Sequence, residues 1–191
     1  MTLFKQCMPY LSLLIAMMVG VTAVAQVEYK VEMADDSTYQ LVLRPLVDWE
    51  GPKAMTASAQ ITMLVPTGGF RLENLQNVTG IWTNNSNIVA PKESPEFDYI
   101  TVGLTSLATR AIVYKTGEEV VLFSFENGGT CTGAIELMKT DDPFLPPNSH
   151  NTNVGNQITT LGSGNINAWN GPYEMGSANC EEPLLQELEK E

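Results

Sequence analysis

The chain has 191 residues, with 10 Lys and Arg against 22 Asp and Glu, and a formal net charge of −12. This acidic balance argues against nucleic acid and anionic membrane as partners, because both require a basic face. The length suffices for one domain with a real hydrophobic core.

The first 25 residues have the three parts of an export signal. Lys5 is the only charged residue ahead of an apolar run at 11–19, and a small-x-small tripeptide at 23–25 provides a signal-peptidase site. The run is too short for a membrane anchor, since a spanning helix needs about 20 apolar residues. We expect cleavage before Gln26 and a mature chain that is not inserted in a membrane. It would be secreted or held at the cell surface, with the periplasm as an alternative.

Period-two alternation of apolar and polar residues predicts strands from residue 27 onward. Residues 27–44 are predicted as a hairpin that ends at Pro45, because proline cannot donate to a strand ladder. The run Asn-Asn-Ser-Asn at 84–87 is typical of a turn, and Trp82 is predicted to be a core residue. Further strands are predicted over 59–65, 70–73, 78–83, 97–104, 111–114, 118–125 and 131–138. Of these, 118–125 is apolar enough for an internal strand buried on both faces.

Residues 140–179 have a different composition, with eight asparagines, four prolines and no Lys or Arg. A disordered tail is one interpretation. Apolar residues spaced along the stretch favour another, an irregular flap packed on the sandwich with one or two short strands; they include Phe144, Leu145, Ile158, Leu161, Ile166, Trp169 and Tyr173. Residues 181–191 have helical leucine spacing, which predicts a short terminal helix or a linker.

Two cysteines, Cys131 and Cys180, follow the predicted signal peptide. An even pair in an exported chain predicts one disulfide, which would close a loop of about 50 residues and tie the flap to the preceding strand. Two free thiols are the alternative.

Short strands separated by turn signals, without a long amphipathic helix, predict an all-β, two-sheet β-sandwich of about nine strands over residues 26–180. The stretches that carry a family resemblance are YKVEM, TYQLVLRP, ASAQITMLVPTGGFRL, SPEFDYITVGL, GEEVVLFSFENGGTCTGAIEL, DDPFLPPNSHNTNVGNQI and NAWNGPYEMGSANC. They resemble a module of large secreted surface proteins of Bacteroidota, similar to the cohesin and carbohydrate-binding β-sandwich class. The resemblance covers about residues 27–180. It implies a jelly-roll, cohesin-like sandwich with a role in adhesion or scaffolding.

No catalytic constellation is evident in the sequence. His150 lies in a polar loop beside Ser149, and adjacent residues rarely form a triad, because its members converge from separate elements. We therefore predict a protein that is not an enzyme and that binds a protein or a glycan at the cell surface.

Carbohydrate binding is the alternative function. Three aromatic residues, Trp49, Trp169 and Tyr173, lie in loop-like stretches, where exposed rings could stack on sugars. The competing interpretation is that these rings fold back and plug the ends of the sandwich.

Structural calcium is the one metal hypothesis, and no other cofactor is expected. Oxygen-donor side chains cluster in the flap, and Ca²⁺ takes six to eight oxygen ligands. They are Asp141, Asp142, Asn148, Asn151, Asn153 and Asn156. The alternative is that these Asp and Asn side chains have only the turn-forming roles that are usual for such residues.

Overall fold

The computed structural model describes residues 26–35, 37–130, 133–174 and 176–179. This part of the chain contains eleven strands and two short 3₁₀ turns, Gly51–Ala54 and Ser106–Ala108. The strands are β1 (Val27–Met33), β2 (Thr38–Pro45), β3 (Thr56–Pro66), β4 (Leu72–Asn77), β5 (Trp82–Ile88), β6 (Phe97–Leu104), β7 (Val120–Asn127), β8 (Ala134–Leu137), β9 (Gln157–Thr160), β10 (Trp169–Pro172) and β11 (Ser177–Asn179).

The strands form two sheets that pack face to face. The first sheet has the order β10-β1-β2-β7-β4, and the second has the order β11-β8-β3-β6-β5. The long strand β3 also pairs with β9 along its first half. The described strand pairs are antiparallel except β1 with β10, which is parallel. The prediction of an all-β, two-sheet sandwich is confirmed, with eleven strands where about nine were expected.

The core lies between the sheets and is built by the predicted alternation. On β1, Val27, Tyr29 and Val31 face inward and are buried. Trp82 of the second sheet meets Phe123 of the first, with ring centroids 5.3 Å apart, which confirms the prediction that Trp82 is a core residue.

A second, smaller apolar cluster covers the other face of the second sheet. Leu64 and Tyr99 point away from the main core, and the flap lays Phe144 and Val154 over them. The prediction of an irregular, packed flap is confirmed, with three short strands where one or two were expected. The disordered-tail alternative does not fit the buried residues of this segment.

Five predictions made along the chain are corrected by the structure. Residues 84–87 are not a turn but part of β5, since Asn84 and Asn87 pair with β6. Residues 111–114 form an isolated bridge between Tyr114 and Trp49 in place of a strand. The predicted strand at 70–73 is displaced to β4, and the one predicted at 78–83 begins only at Trp82, as β5. In β7, which is internal as predicted, burial is complete only for some residues.

Candidate functional site: an apolar end of the sandwich

Four loops meet at one end of the sandwich. Strand β2 ends there at Pro45 and β3 begins there at Thr56, which pairs with Thr160 at the end of β9. Trp82 at the start of β5 pairs with Leu104 at the end of β6, which brings their loops to the same end. We call this surface the apolar end, and define it by residues 46–55, 78–81, 105–119 and 161–168.

Backbone hydrogen bonds join these loops to one another. The Thr105 N–H donates to the carbonyl of Ile81 at 2.8 Å, and the Leu161 N–H donates to that of Met55 at 3.0 Å. The Trp49 N–H donates to the carbonyl of Tyr114 at 3.1 Å. Because these hydrogen bonds hold the loop backbones together, the positions of the loops relative to one another are fixed.

Large apolar side chains are exposed at this end. Leu107 leaves 88% of its surface free, and seven of the eight large hydrophobic residues exposed in the described part of the chain belong to the apolar end. They are Leu46, Val78, Ile81, Leu107, Val113, Leu161 and Ile166. The eighth, Val89, follows β5 at the opposite end. Single exposed apolar residues are ordinary, whereas large contiguous apolar patches are typical of interaction sites.

The apolar end is also almost neutral. Its loops carry three basic residues, Lys53, Arg110 and Lys115, and four acidic residues, whereas the whole chain has a net charge of −12. The acidic excess therefore lies elsewhere. A surface without a large net charge can approach a partner of either sign without long-range repulsion.

The three predicted carbohydrate-stacking residues are buried. Trp49 packs on Tyr114 with ring centroids 5.2 Å apart and is a buried residue of the loops that form the apolar end. Trp169 lies in the main core, where its Nε1–H has no hydrogen-bond partner among the described residues. Tyr173 is only 3% exposed. Carbohydrate binding by these three residues stays a prediction that would require the buried rings to be uncovered.

Tyr173 belongs to an ionic cluster on the outer face of the first sheet. The Arg44 guanidinium stacks 3.9 Å from the centre of the Tyr173 ring, and the Tyr173 hydroxyl donates to Glu119 at 3.0 Å. The buried Lys30 ammonium lies 2.8 Å from Glu32 and 3.1 Å from Glu119, and Glu174 of the flap is 3.4 Å away. The cluster fastens the flap to the first sheet.

Charge pairing governs the ionisation of this cluster. Burial alone would lower the pKa of Lys30, but its hydrogen bonds to Glu32 and Glu119 and their negative charges raise it above the ordinary value. Burial would likewise raise the pKa of Glu32, but hydrogen bonds from Lys30 and Gln40 outweigh it and hold the pKa below its ordinary value. Burial, reinforced by the bond to Glu119, raises the pKa of Tyr173, which stays a neutral donor.

The calcium candidates do not all line one hollow of the structure. Asp141 and Asp142 line a hollow of about 330 Å³, whereas Asn153 lines a different one of about 280 Å³ beside Trp169. Asp142 accepts hydrogen bonds from Tyr99 at 2.9 Å and from the Phe144 N–H at 2.8 Å.

The asparagine candidates have structural roles within the flap. Asn148 and Asn156 use their amides to hold backbone groups, and Asn151 occupies a left-handed turn position. No three His, Cys, Asp or Glu side chains within the described ranges are grouped as a metal site. Structural calcium stays a prediction.

Ser149 and His150 do not act on each other in the described geometry. The Ser149 hydroxyl donates to Glu93 at 2.7 Å, and the His150 ring stands edge-on to Phe144 with centroids 5.7 Å apart. The serine therefore fastens its loop to the 91–96 segment. That the protein is not an enzyme stays a prediction.

Cys131 and Cys180, the predicted signal peptide 1–25 and the predicted helix or linker 181–191 lie outside the described residues. Their described neighbours are paired, since Ala134 of β8 faces Asn179 of β11. Cys131 precedes Ala134 by three positions and Cys180 directly follows Asn179. The disulfide therefore stays a prediction.

The apolar end does not follow from the sequence pattern. Leu161 and Ile166 are expected to pack with the flap on the sandwich, but both side chains are nearly half exposed. A usable signal was present, because Val78, Ile81 and Leu107 are apolar residues flanked by Thr, Gly, Ser and Ala outside the strand core. Only the fold shows that these separate loops share one end.

No protein-family model matches the chain, and no curated protein matches it. One chain of a crystal structure of a CaDoc0917 variant in complex with CaCohA2 at pH 5.5 is similar in fold, with 14% identity and a TM-score of 0.35. The similarity covers 80% of this chain and 98% of that one. The similarity is too loose to bear on function. No helix in the described residues is long and apolar enough to cross a membrane.

Proposed function

We propose that the protein is a non-catalytic interaction module outside the cytoplasm, and that it binds another protein through its apolar end. The observation that carries the proposal concerns the part of the chain that the structure describes, in which seven of the eight exposed large hydrophobic side chains lie on hydrogen-bonded loops at one end of the sandwich. The export-type N-terminus supports the location. A role in adhesion or scaffolding is the finer form of this proposal.

The chemistry of this surface favours a protein partner over a glycan. Sugar rings stack on flat aromatic faces, and the exposed large side chains here are Leu, Val and Ile. Aliphatic side chains gain free energy by removing apolar surface from water, which a complementary apolar protein surface allows. The near-zero net charge of the apolar end avoids the long-range repulsion that an acidic surface would exert on an acidic partner.

The fixed backbone of the loops would make binding less costly. Association loses free energy when loops must be ordered, and these loops already share hydrogen bonds such as Thr56 N–H to the Thr109 carbonyl at 2.7 Å. Leu107, the most exposed of the set, follows Thr105, whose N–H is bonded to the Ile81 carbonyl. We expect Leu107 to be the energetic centre of the interface.

The test compares three forms of the tagged protein, each expressed in the native host. Each form carries a photo-crosslinking residue at position 79 of the apolar end, which links a bound partner covalently on illumination. The wild type should capture the same partner repeatedly, and the variant Leu107→Ser/Leu161→Ser should bind that partner at least about tenfold more weakly, as for central interface residues. The matched control is Val89→Ser, an exposed apolar residue at the other end, which should bind like the wild type.

Equal capture by the wild type and Leu107→Ser/Leu161→Ser would refute the proposed surface. Glycan-array binding that is lost on Trp169→Ala would support the carbohydrate alternative instead.

The location of the protein is tested by a separate experiment. N-terminal sequencing of the extracytoplasmic protein should give a sequence that begins at Gln26. Recovery of uncleaved chain from the cytoplasm alone would contradict that part.

A further inference from the structure

Two cations without an ion pair lie beside the exposed leucines of the apolar end. The Met55 carbonyl accepts the Leu161 N–H at 3.0 Å, and the Met55 sulfur accepts a hydrogen bond from the Arg110 guanidinium at 3.5 Å. Leu107 precedes Arg110 by three positions, and Lys53 precedes Met55 by two. Both Lys53 and Arg110 are exposed, and neither has a carboxylate partner among the described residues. This region is therefore complementary to a segment that carries both leucines and carboxylates.

The segment that follows β11 has this composition. Residues 181–191 contain five Glu, one Lys and three leucines. Leu184 and Leu188 are four positions apart, so they share one face of the helix that their spacing predicts. Glu187 follows Leu184 by three positions and borders the same face. The predicted helix therefore combines an apolar stripe with carboxylates beside it.

The chain leaves β11 at the end of the sandwich opposite the apolar end. Asn179, the last residue of β11, pairs with Ala134 of β8. Glu136 of β8 pairs with Leu64 of β3. Because β8 and β3 are antiparallel, Ala134 lies level with Pro66, where β3 ends. The apolar end lies at the start of β3, so the segment begins on the far side of the sandwich from it.

The segment is too short to cover the apolar end of its own copy. Thr56 and Pro66 mark the two ends of β3, ten positions apart, which corresponds to about 33 Å along an extended strand. Leu185 follows Asn179 by six positions and can be at most about 22 Å from it, even in a fully extended chain. Leu184 lies nearer still. Two of the three leucines therefore cannot reach the apolar end of the same molecule.

The surface next to the exit of the chain is acidic and does not favour the segment. Ser177 of β11 pairs with Glu136, which lines the hollow of about 330 Å³. One ammonium and four carboxylates line this hollow, and they belong to Lys139, Glu96, Glu136, Asp141 and Asp142. A segment with five Glu and one Lys is repelled there. The apolar end, whose net charge is close to zero, exerts no such repulsion.

We propose that residues 181–191 of one copy bind the apolar end of a second copy. The leucines cover exposed aliphatic side chains such as Leu107 and Leu161. The glutamates lie beside Lys53 and Arg110. The pairing rests on the proposed function, because it names the occupant of the same surface. The contact joins two different surfaces, so it is heterologous, and association continues from copy to copy unless a ring closes.

The test uses two variants that each disable one side of the contact. Leu107→Ser/Leu161→Ser changes the apolar end and keeps the segment, whereas Leu184→Ser/Leu188→Ser changes the segment and keeps the apolar end. Analytical ultracentrifugation of the purified protein over a range of concentrations measures self-association, and melting temperatures check that each variant is folded. We expect the wild type to associate, and each variant alone to associate at least about tenfold more weakly, as for central interface residues.

A mixture of the two variants separates this contact from other modes of self-association. The intact segment of Leu107→Ser/Leu161→Ser can bind the intact apolar end of the other variant, and neither of the remaining surfaces can continue the assembly. The mixture should therefore form a dimer with the affinity of the wild-type contact and nothing larger. Apolar ends that pack on each other about a two-fold axis would give no such complementation, and that result would overturn the proposal.

A charge reversal tests the placement of the glutamates. Arg110→Glu should weaken the association at least about threefold at low salt, which is the scale of an exposed ion pair. The wild type and this variant should converge at about 1 M salt, where the Debye length is about 3 Å. Equal association of the two proteins at low salt would overturn the placement of carboxylates beside Arg110.

Failure of this pairing is distinguishable from failure of the proposed function. A wild type that stays monomeric at every concentration overturns the pairing, and so does a folded Leu184→Ser/Leu188→Ser variant that associates as tightly as the wild type. If capture of a different protein still depends on Leu107 and Leu161, the proposed function stands. If capture and self-association are both unaffected by Leu107→Ser/Leu161→Ser, the proposed surface and its occupant are both wrong.

Discussion

The strand frame, residues 26–138, and the flap, residues 139–179, hold their backbones in different ways. In the frame, backbone groups pair in long ladders such as β3 with β6. In the flap the strands have only three or four residues, and side-chain amides replace the missing ladders. Asn148, for example, donates to the carbonyls of Phe144 and Thr152, both at 2.9 Å. Irregular backbone can be well ordered where amides satisfy its polar groups.

The two regions are fastened to each other at several places. Asn156 joins the flap to the second sheet, because its Oδ1 accepts the Thr62 N–H at 2.8 Å and its Nδ2 donates to the Met138 carbonyl at 2.8 Å. Strand β10 and the ionic cluster join it to the first sheet. Each of the three predictions below concerns a substitution that removes one attachment between the flap and the frame. Together they measure how far the stability of the flap depends on the frame.

The predicted disulfide is expected to have the largest effect. Replacing Cys131 and Cys180 with Ser should lower the free energy of unfolding by about 4 kcal/mol, the chain-entropy value for a loop of about 50 residues. Urea unfolding measures the loss, and limited proteolysis should cut within 139–179 before the frame. Wild type under reductant serves as the control and should match the variant. Two titratable thiols in the native secreted protein would show that no bond forms.

Loss of the Asn156 side-chain amide is expected to have the second-largest effect on stability. Asn156→Ala leaves the Thr62 N–H and the Met138 carbonyl without their partner in a buried place, and we expect a loss of about 3 kcal/mol in unfolding free energy. Asn153→Ala is the matched control, because this asparagine is exposed, and its effect should stay within about 0.5 kcal/mol. Equal effects of the two substitutions would mean that the Asn156 amide is not a structural fastening.

The frame could be predicted from the sequence because its signal is local. Inward residues of β1 and β2 alternate with polar ones, and the hairpin at 27–44 and the strand at 97–104 followed directly. The prediction was wrong at 84–87, because Asn and Ser favour turns on their own. Pairing with β6 outweighs that preference, and an edge strand tolerates polar residues on its open side.

The flap and the candidate site could be predicted only in part. The apolar residues of 140–179 favoured a packed flap over a free tail, and the burial of Trp169 and Tyr173 agrees with the packed flap. Nothing local reveals that Asn156 reaches Thr62, 94 positions earlier in the chain. The apolar end depends on the same kind of information, because it is assembled from four loops that only the sheet order brings together.

The ionic cluster provides the smallest and most specific test, through pH. The pKa of Glu32 is lowered in the folded protein, so its contribution to stability is present above its ordinary value of 4.5 and is lost as the pH falls through the folded value. The pKa of Lys30 is raised, so its contribution is present below 10.5 and is lost as the pH rises through the folded value. Between these limits the cluster is intact.

Lys30→Met removes this contribution at neutral pH, so the variant should melt lower than wild type at pH 7 and should lose less on acidification to about pH 3. Lys115→Met is the control, because its pair with Glu118 is exposed on both sides and contributes little. Its melting curve should follow the wild type across the whole acid range. Parallel acid responses in wild type and Lys30→Met would show that the cluster covers the flap without stabilising it. The pairing of β10 with β1 would then carry the attachment of the flap to the first sheet.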